Sequence, residues 1–204
     1  MTDFDARAAT WDDDPDKVVR AREVAEAIRA MVPTTPKTTV LEYGCGTGLL
    51  GLALAPHVAR ITLADSSEGM LEVVRRKLAG GAAPNAAALR LDLERDPLPG
   101  DRYDLVCSLL TLHHVHDLGQ VLRLLRTALT ASGTLCVADL DAEDGSFHGH
   151  GADVHHGFDR AALADRLRAA GFAAPVFSTV HEIERTSGGV SRRYGVFLAV
   201  ARAA

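Results

Sequence analysis

The stretch "LEYGCGTGLL", residues 41–50, sets Gly44, Gly46 and Gly48 on alternate positions directly behind an apolar run. A chain that gives up side chains where a buried strand ends lets a ligand approach its backbone. Three acids attend this turn. Glu42 lies two residues before the first glycine, Asp65 about 20 residues further on, and Asp92 follows in "LRLDLE". Carboxylates so spaced can accept hydrogen bonds from a ligand's hydroxyl or amino groups. The second constellation is imidazole. Of nine histidines, seven lie between residues 113 and 156: His113, His114 and His116 behind an apolar run, and His148, His150, His155 and His156 in "FHGHGADVHHGF". Neutral imidazole accepts a proton near pH 7, which suits general-base catalysis. The "HGH" and "HH" pairs match no established metal-ligand spacing, so no metal is expected.

The elements that must position these residues alternate in type. The spacing predicts a helix over 14–32, capped by Asp14 with Pro15 in its first turn and stopped by Pro33. Strands are predicted at 38–43, 60–65, 87–93, 103–112 and 134–140, with helices at 47–58, 66–81, 118–133 and 159–171. Residues 141–157 read as a polar, glycine-containing loop, expected to be flexible and to close over a substrate. Two last strand-like runs, 174–185 and 192–203, flank "TSGGVS", a hairpin signal. Alternating strands and helices imply a parallel α/β sheet covered on both faces. The hairpin adds an antiparallel edge, and the first helix caps the domain.

With 204 residues the chain suits one well-filled domain, taken as 1–204 with a cap segment at 1–36. The net charge of −5, the mixed charges and 5 % aromatics are unlike a nucleic-acid binder, so a nucleic-acid partner is not expected. No apolar run is long enough to span a membrane, and the acidic "MTDFDARAATWDDDPDK" is unlike a signal peptide. Cys45, Cys107 and Cys136 each sit in or beside an apolar run, as free thiols of a cytoplasmic protein would. The oligomeric state is not legible.

"GTGLLG" (46–51) matches the dinucleotide pattern G-x-G-x-x-G. "EYGCGTG" (42–48) resembles instead the E/D-x-G-x-G-x-G loop of class I S-adenosylmethionine-dependent methyltransferases, and its neighbours favour that family. "YDLVCSLLTLHHV" is similar to the family's fourth strand and "SGTLCVADLD" to its fifth. The likeness runs over roughly 38–140 and, by topology, to the C-terminus. It implies a doubly wound, mostly parallel, Rossmann-like sheet of seven strands with an antiparallel C-terminal hairpin strand and an N-terminal cap helix. It also implies S-adenosylmethionine as cofactor and methyl transfer to a nucleophilic atom of a small molecule. In that reading Glu42 meets the methionine ammonium, directly or through water. Gly44, Gly46 and Gly48 form the cofactor loop and Asp65 takes the ribose hydroxyls. Asp92 and the Leu93 amide read the adenine, and Ser66, Met70 and Ser108 complete the cofactor set. His113 or His114 is the catalytic base, and Trp11, His148 and His156 touch substrate. Two alternatives remain: a nicotinamide-dependent oxidoreductase, although no Tyr-x-x-x-Lys pair is present, and a non-catalytic cofactor-binding module.

Overall fold

The computed structural model describes residues 4–149, 151–187 and 190–204. Among them, seven strands form one sheet: β1 (Thr39–Tyr43), β2 (Arg60–Asp65), β3 (Ala86–Arg90), β4 (Tyr103–Leu109), β5 (Leu129–Leu140), β6 (Val176–Ser187) and β7 (Val190–Arg202). Their order is β3-β2-β1-β4-β5-β7-β6. Strands β1 to β5 pair in parallel, and β7 runs antiparallel between β5 and β6. This is the doubly wound sheet with a reversed edge that the alternation implies. Gly188 and Gly189 of the expected hairpin turn lie outside the described residues.

Both faces of the sheet are covered because its central strands are apolar on both faces. On one side α2 (Pro15–Met31), α3 (Leu49–Leu54) and α4 (Glu68–Ala79) bury Val24, Ile28, Leu50, Leu54, Leu71 and Val74. On the other, α5 (Leu118–Ala128) and α6 (Arg160–Ala169) bury Leu118, Val121, Leu122, Leu125, Leu163 and Leu167. The α5 residues recur at helical spacing, and burying each contributes about 1.5–3 kcal/mol. The chain winds outward from β1 in both directions. The strand order therefore reverses between β1 and β4, opening a crevice at their carboxyl ends.

Three boundaries differ from the sequence reading. Strand β4 ends at Leu109, not residue 112, because Leu110 adopts φ +50, a left-handed conformation rare outside glycine. Helix α5 ends at Ala128, and Leu129 already pairs with Tyr103 as the start of β5. The helical assignment ran on to Gly133 because an apolar run fits a helix and a buried strand equally well. Strand β3 stops at Arg90, so Asp92 lies in a turn. The segment before α2 was given no structure, yet it forms a short helix, α1 (Phe4–Arg7), and a 3-10 helix over Ala8–Asp13.

Candidate active site

The turn behind β1 uses its three glycines for three purposes. Gly44 and Cys45 both donate to the carbonyl of Ala64, which ties the turn to β2. Gly44 (φ +71) would place a Cβ 2.1 Å from Thr111 Cγ2, so only glycine admits Thr111, whose hydroxyl donates to the Gly44 carbonyl at 3.0 Å. Gly48 (φ +82) turns the chain into α3. Gly46 (φ +53) is different. A Cβ there would meet nothing nearer than Met70 Sδ and Trp11 Nε1, each at 4.0 Å. A slot therefore lies above Gly46, floored by the loop and walled by Met70 and Trp11. Asp65 holds the loop in this shape: Gly46 N–H donates to Oδ2 at 2.7 Å and Ser67 N–H to Oδ1 at 2.8 Å. Burial pushes the Asp65 carboxyl above its ordinary range against these donors.

The N-terminal segment is fastened over this slot. Asp5 accepts from Ser67 Oγ at 2.6 Å and from Gly69 N at 2.8 Å, so it caps the first turn of α4 from outside. Asp12 accepts from Thr47 Oγ1 at 2.5 Å and pairs with Lys77 at 2.6 Å. Between these anchors, the Trp11 ring has Lys17 Nζ 4.0 Å and the Arg7 guanidinium 5.0 Å from its centroid. Phe4 stands edge-on to Trp11 and to His114.

The histidines cluster beside the slot. After Leu110 turns the chain out of the sheet, a 3-10 turn over Leu112–His114 points two imidazoles at the rim. His113 is buried, and its Nδ1 lies 2.6 Å from Oδ1 of Asp139, a fully buried carboxylate near the end of β5. Asp139 also accepts from the backbone amides of His113 and Leu140. It thereby fixes the His113 ring with Nε2 outward. That nitrogen lies 3.0 Å from His148 Nε2. His148 is brought there by a loop tied to the reversed edge of the sheet. Arg185 of β6 bonds the Phe147 carbonyl and stacks on its ring, Ser146 bonds Tyr194 at 2.8 Å, and Glu143 accepts from Phe147 N. Desolvation and the neighbouring His113 lower His114 to about 3 and His148 to about 4. Both rings are therefore neutral, with free lone pairs, at physiological pH.

The sequence profile of a family described as a methyltransferase domain matches residues 40–133. The chain is 32 % identical over 186 residues to malonyl-[acyl-carrier protein] O-methyltransferase of Halorhodospira halophila, covering 85 % of this chain and 61 % of that protein. The chain is similar to class I S-adenosylmethionine-dependent methyltransferases, and its residues 40–133 match their domain. It is also 32 % identical over 119 residues to an uncharacterized methyltransferase of Schizosaccharomyces pombe, covering 55 % of this chain and 42 % of that one. The chain thus spans about half the length of these curated relatives. Among solved structures, the S-adenosylmethionine-dependent methyltransferase of Aquifex aeolicus superposes with TM-score 0.72 at 17 % identity, over 98 % of each chain. A chain from the complex of the Haloferax volcanii Trm112 methyltransferase activator superposes with TM-score 0.78 at 20 % identity, over 100 % of this chain and 98 % of that chain. At such identities these two matches speak for the fold.

That similarity favours E-x-G-x-G-x-G over the nicotinamide pattern as the reading of the glycine turn. S-adenosylmethionine is the cofactor that goes with the family, and the slot above Gly46 fits such a ligand. Gly46, Asp65 and Met70 border it. The hydroxyl of Ser108, buried near the end of β4, has no hydrogen-bond partner among the described residues. Ser66 is exposed just past β2. Asp92 Oδ1 accepts from Glu94 N at 3.1 Å, and the Leu93 backbone bonds the Tyr43 hydroxyl. The pair expected to read adenine is thus partly engaged within the protein.

Three expected contacts are corrected by the geometry. Glu42 does not line the slot. It is 1 % exposed, and Oε2 accepts from Gly51 N at 2.9 Å, so it clamps β1 to α3 beneath the loop. Burial pushes this carboxyl up to about 8. Trp11, expected at the substrate, stands over Gly46. His156 is exposed and packs its ring over Gly145, apart from His113. The loop expected to close is already seated over its described residues, with His148 in contact with His113; His150 lies outside them. Asp5, Asp12, Thr111 and Asp139 were missed. Only Asp139 left a signal, an acid ending the apolar "TLCVADL".

Proposed function

We propose that this methyltransferase transfers the methyl group of S-adenosylmethionine to a nucleophilic atom, most simply an oxygen, of a small molecule bound where the slot meets the histidines. One observation carries the reading: the Asp139–His113–His148 chain ends on the same rim as the Gly46 slot, with Phe4 touching both His114 and Trp11. The cofactor supplies an electrophilic methyl on a sulfonium, which departs as a neutral thioether.

The protein's tasks follow. Gly44, Gly46 and Gly48, with Asp65, Asp92, Leu93, Ser66, Met70 and Ser108, hold the cofactor. Glu42 acts on it only through the loop. The fastened cap with Trp11 and Phe4 excludes water and fixes the approach of nucleophile to methyl, which is where most acceleration of such a displacement originates. A hydroxyl acceptor must also lose a proton. His148 faces the rim and takes it, and His113 receives it through the 3.0 Å contact. Asp139 holds His113 in the accepting tautomer and stabilises the imidazolium. Such a base contributes about 10²–10⁴-fold. The names of two relatives support an oxygen acceptor: the Halorhodospira halophila protein above and a ubiquinone biosynthesis O-methyltransferase of Pseudomonas paraeruginosa. A cytoplasmic location goes with this reading, supported by three buried free cysteines. Among the described residues no helix is long and apolar enough to cross a membrane.

The test is incubation with methyl-labelled S-adenosylmethionine and a fractionated metabolite extract, followed by mass detection of labelled products. A labelled small molecule is expected. Tight binding of the demethylated cofactor with label in no product would mark a non-catalytic binding module and overturn the proposal.

A further inference from the structure

His113, His114 and His148 come from two segments of chain, yet each offers a ring nitrogen to one place, and these nitrogens lie within 4.8 Å of one another. The proton path above uses only His113 and His148 and leaves His114 without a task. His113 Nε2 and His148 Nε2 face each other at 3.0 Å. Two imidazole nitrogens so placed share either a proton or a cation. In a tetrahedral zinc site, nitrogens about 2.0–2.1 Å from the ion stand about 3.3 Å apart. The facing pair would open by a few tenths of an ångström to reach that spacing. The third nitrogen needs a shift of about 1.5 Å at most.

The surroundings are those of a ligand set. Asp139 bonds the far nitrogen of His113 at 2.6 Å and is itself fully buried. A carboxylate behind a ligating histidine fixes its tautomer and raises its donor strength. A cavity of about 250 Å³ lies against His113 and His114, bounded also by His116, Asp153 and His155. A larger cavity of about 420 Å³ lies by Thr38, Asp104 and Arg202, at the opposite end of the strands, and gathers no comparable set of groups.

We propose that His113, His114 and His148 form a binding site for a divalent transition-metal ion of the zinc class, with Asp139 orienting His113 from behind and one coordination position open. Three imidazole ligands suit zinc, cobalt or nickel and not magnesium or calcium, which take oxygen ligands. The open position would take an oxygen or sulfur atom of the acceptor. That last step rests on the proposed methyl transfer; the site itself does not. With the ion bound, the acceptor loses its proton to solvent on coordination, and His113 serves as a ligand.

The full chain, dialysed against a chelator, is titrated with Zn²⁺ by calorimetry and with Co²⁺ by visible absorption. One ion per chain is expected, with d–d bands of a low-symmetry, nitrogen-rich site. His114→Ala and His148→Ala avoid the more buried His113, and circular dichroism checks their folding. Each should weaken binding by at least a hundredfold, and Asp139→Asn by about 10–100-fold. His57→Ala should leave it unchanged. Absence of saturable one-to-one binding, survival of binding in both His114→Ala and His148→Ala, or its loss in His57→Ala would overturn the proposal. Titration with the demethylated cofactor reads the methyltransferase assignment separately. If that ligand binds and the metal does not, the metal site alone fails. If the metal binds and that ligand does not, the proposed function alone fails.

Discussion

The loop flooring the proposed cofactor slot is assembled from neighbours in sequence, and the proposed acceptor side from strangers. Gly46 and Asp65 are 19 residues apart and meet through one strand–helix–strand unit. His113 and His148 are 35 residues apart, and their contact needs β5 to deliver Asp139 and the β6–β7 edge to seat Phe147. The cofactor half is also made largely of backbone, with loop amides and carbonyls tied to Ala64 and Asp65. The acceptor half is made of side chains. A shared ligand calls for a shape that a contiguous motif can encode, whereas substrate chemistry depends on side chains that a sheet can bring from any strand end.

If the halves are separate in this way, the largest effect falls on cofactor binding alone. Gly46→Val should abolish binding of S-adenosylmethionine and its demethylated product in a folded protein. Its added atoms enter the slot and meet no backbone, at a conformational cost of about 1–2 kcal/mol. Gly44→Ala should instead destabilise the fold, because its Cβ collides with Thr111. Calorimetry and urea unfolding on both variants separate the two. Wild-type affinity in a folded Gly46→Val protein would move the slot elsewhere.

The converse comes from the other half. His148→Ala and Asp139→Asn should lower turnover about 10²–10⁴-fold. Affinity for the demethylated cofactor should change by no more than about twofold, since the partners of His148 and Asp139 lie outside the glycine loop. Equal losses in both measurements would mean that the halves are coupled.

Glu42 sharpens the comparison through pH. Its folded-state pKa, about 8, lies above the ordinary 4.5. Burial is the main cause, nearby Asp65 adds to it, and the Gly51 amide and Lys77 oppose it. A folded state that holds its proton more tightly than the unfolded chain loses stability as pH rises from about 4.5 to 8. Glu42→Gln keeps an acceptor for Gly51 and removes the titration. Its urea midpoint should match wild type near pH 5 and exceed it above pH 8, by at most about 5 kcal/mol in stability. Parallel pH curves for the two proteins would show that Glu42 ionises freely.

The smallest effect is expected at Asp65. Asp65→Ala should weaken cofactor binding by about 1–3 kcal/mol. Because Asp65 also holds the Gly46 and Ser67 amides, part of that loss should persist with a cofactor analogue lacking ribose hydroxyls. A full loss with the analogue would make its role purely one of holding the loop.

The sequence alone determined the strand–helix alternation, the glycine turn and the capped start of α2. Each is encoded within one supersecondary unit, where the periods of helix and strand fix which residues face one another. Only the tertiary structure decided that Glu42 is buried beneath the loop, that Trp11 covers Gly46, and that His148 meets His113 while His156 does not. The same holds for Asp139, which acts across two strands, and for Leu110, whose positive φ delivers the histidines. Sequence spacing says nothing of these because the contacts join separate elements. Which elements meet is set by the order of strands in the sheet and by the packing of the cap and the β6–β7 edge against them.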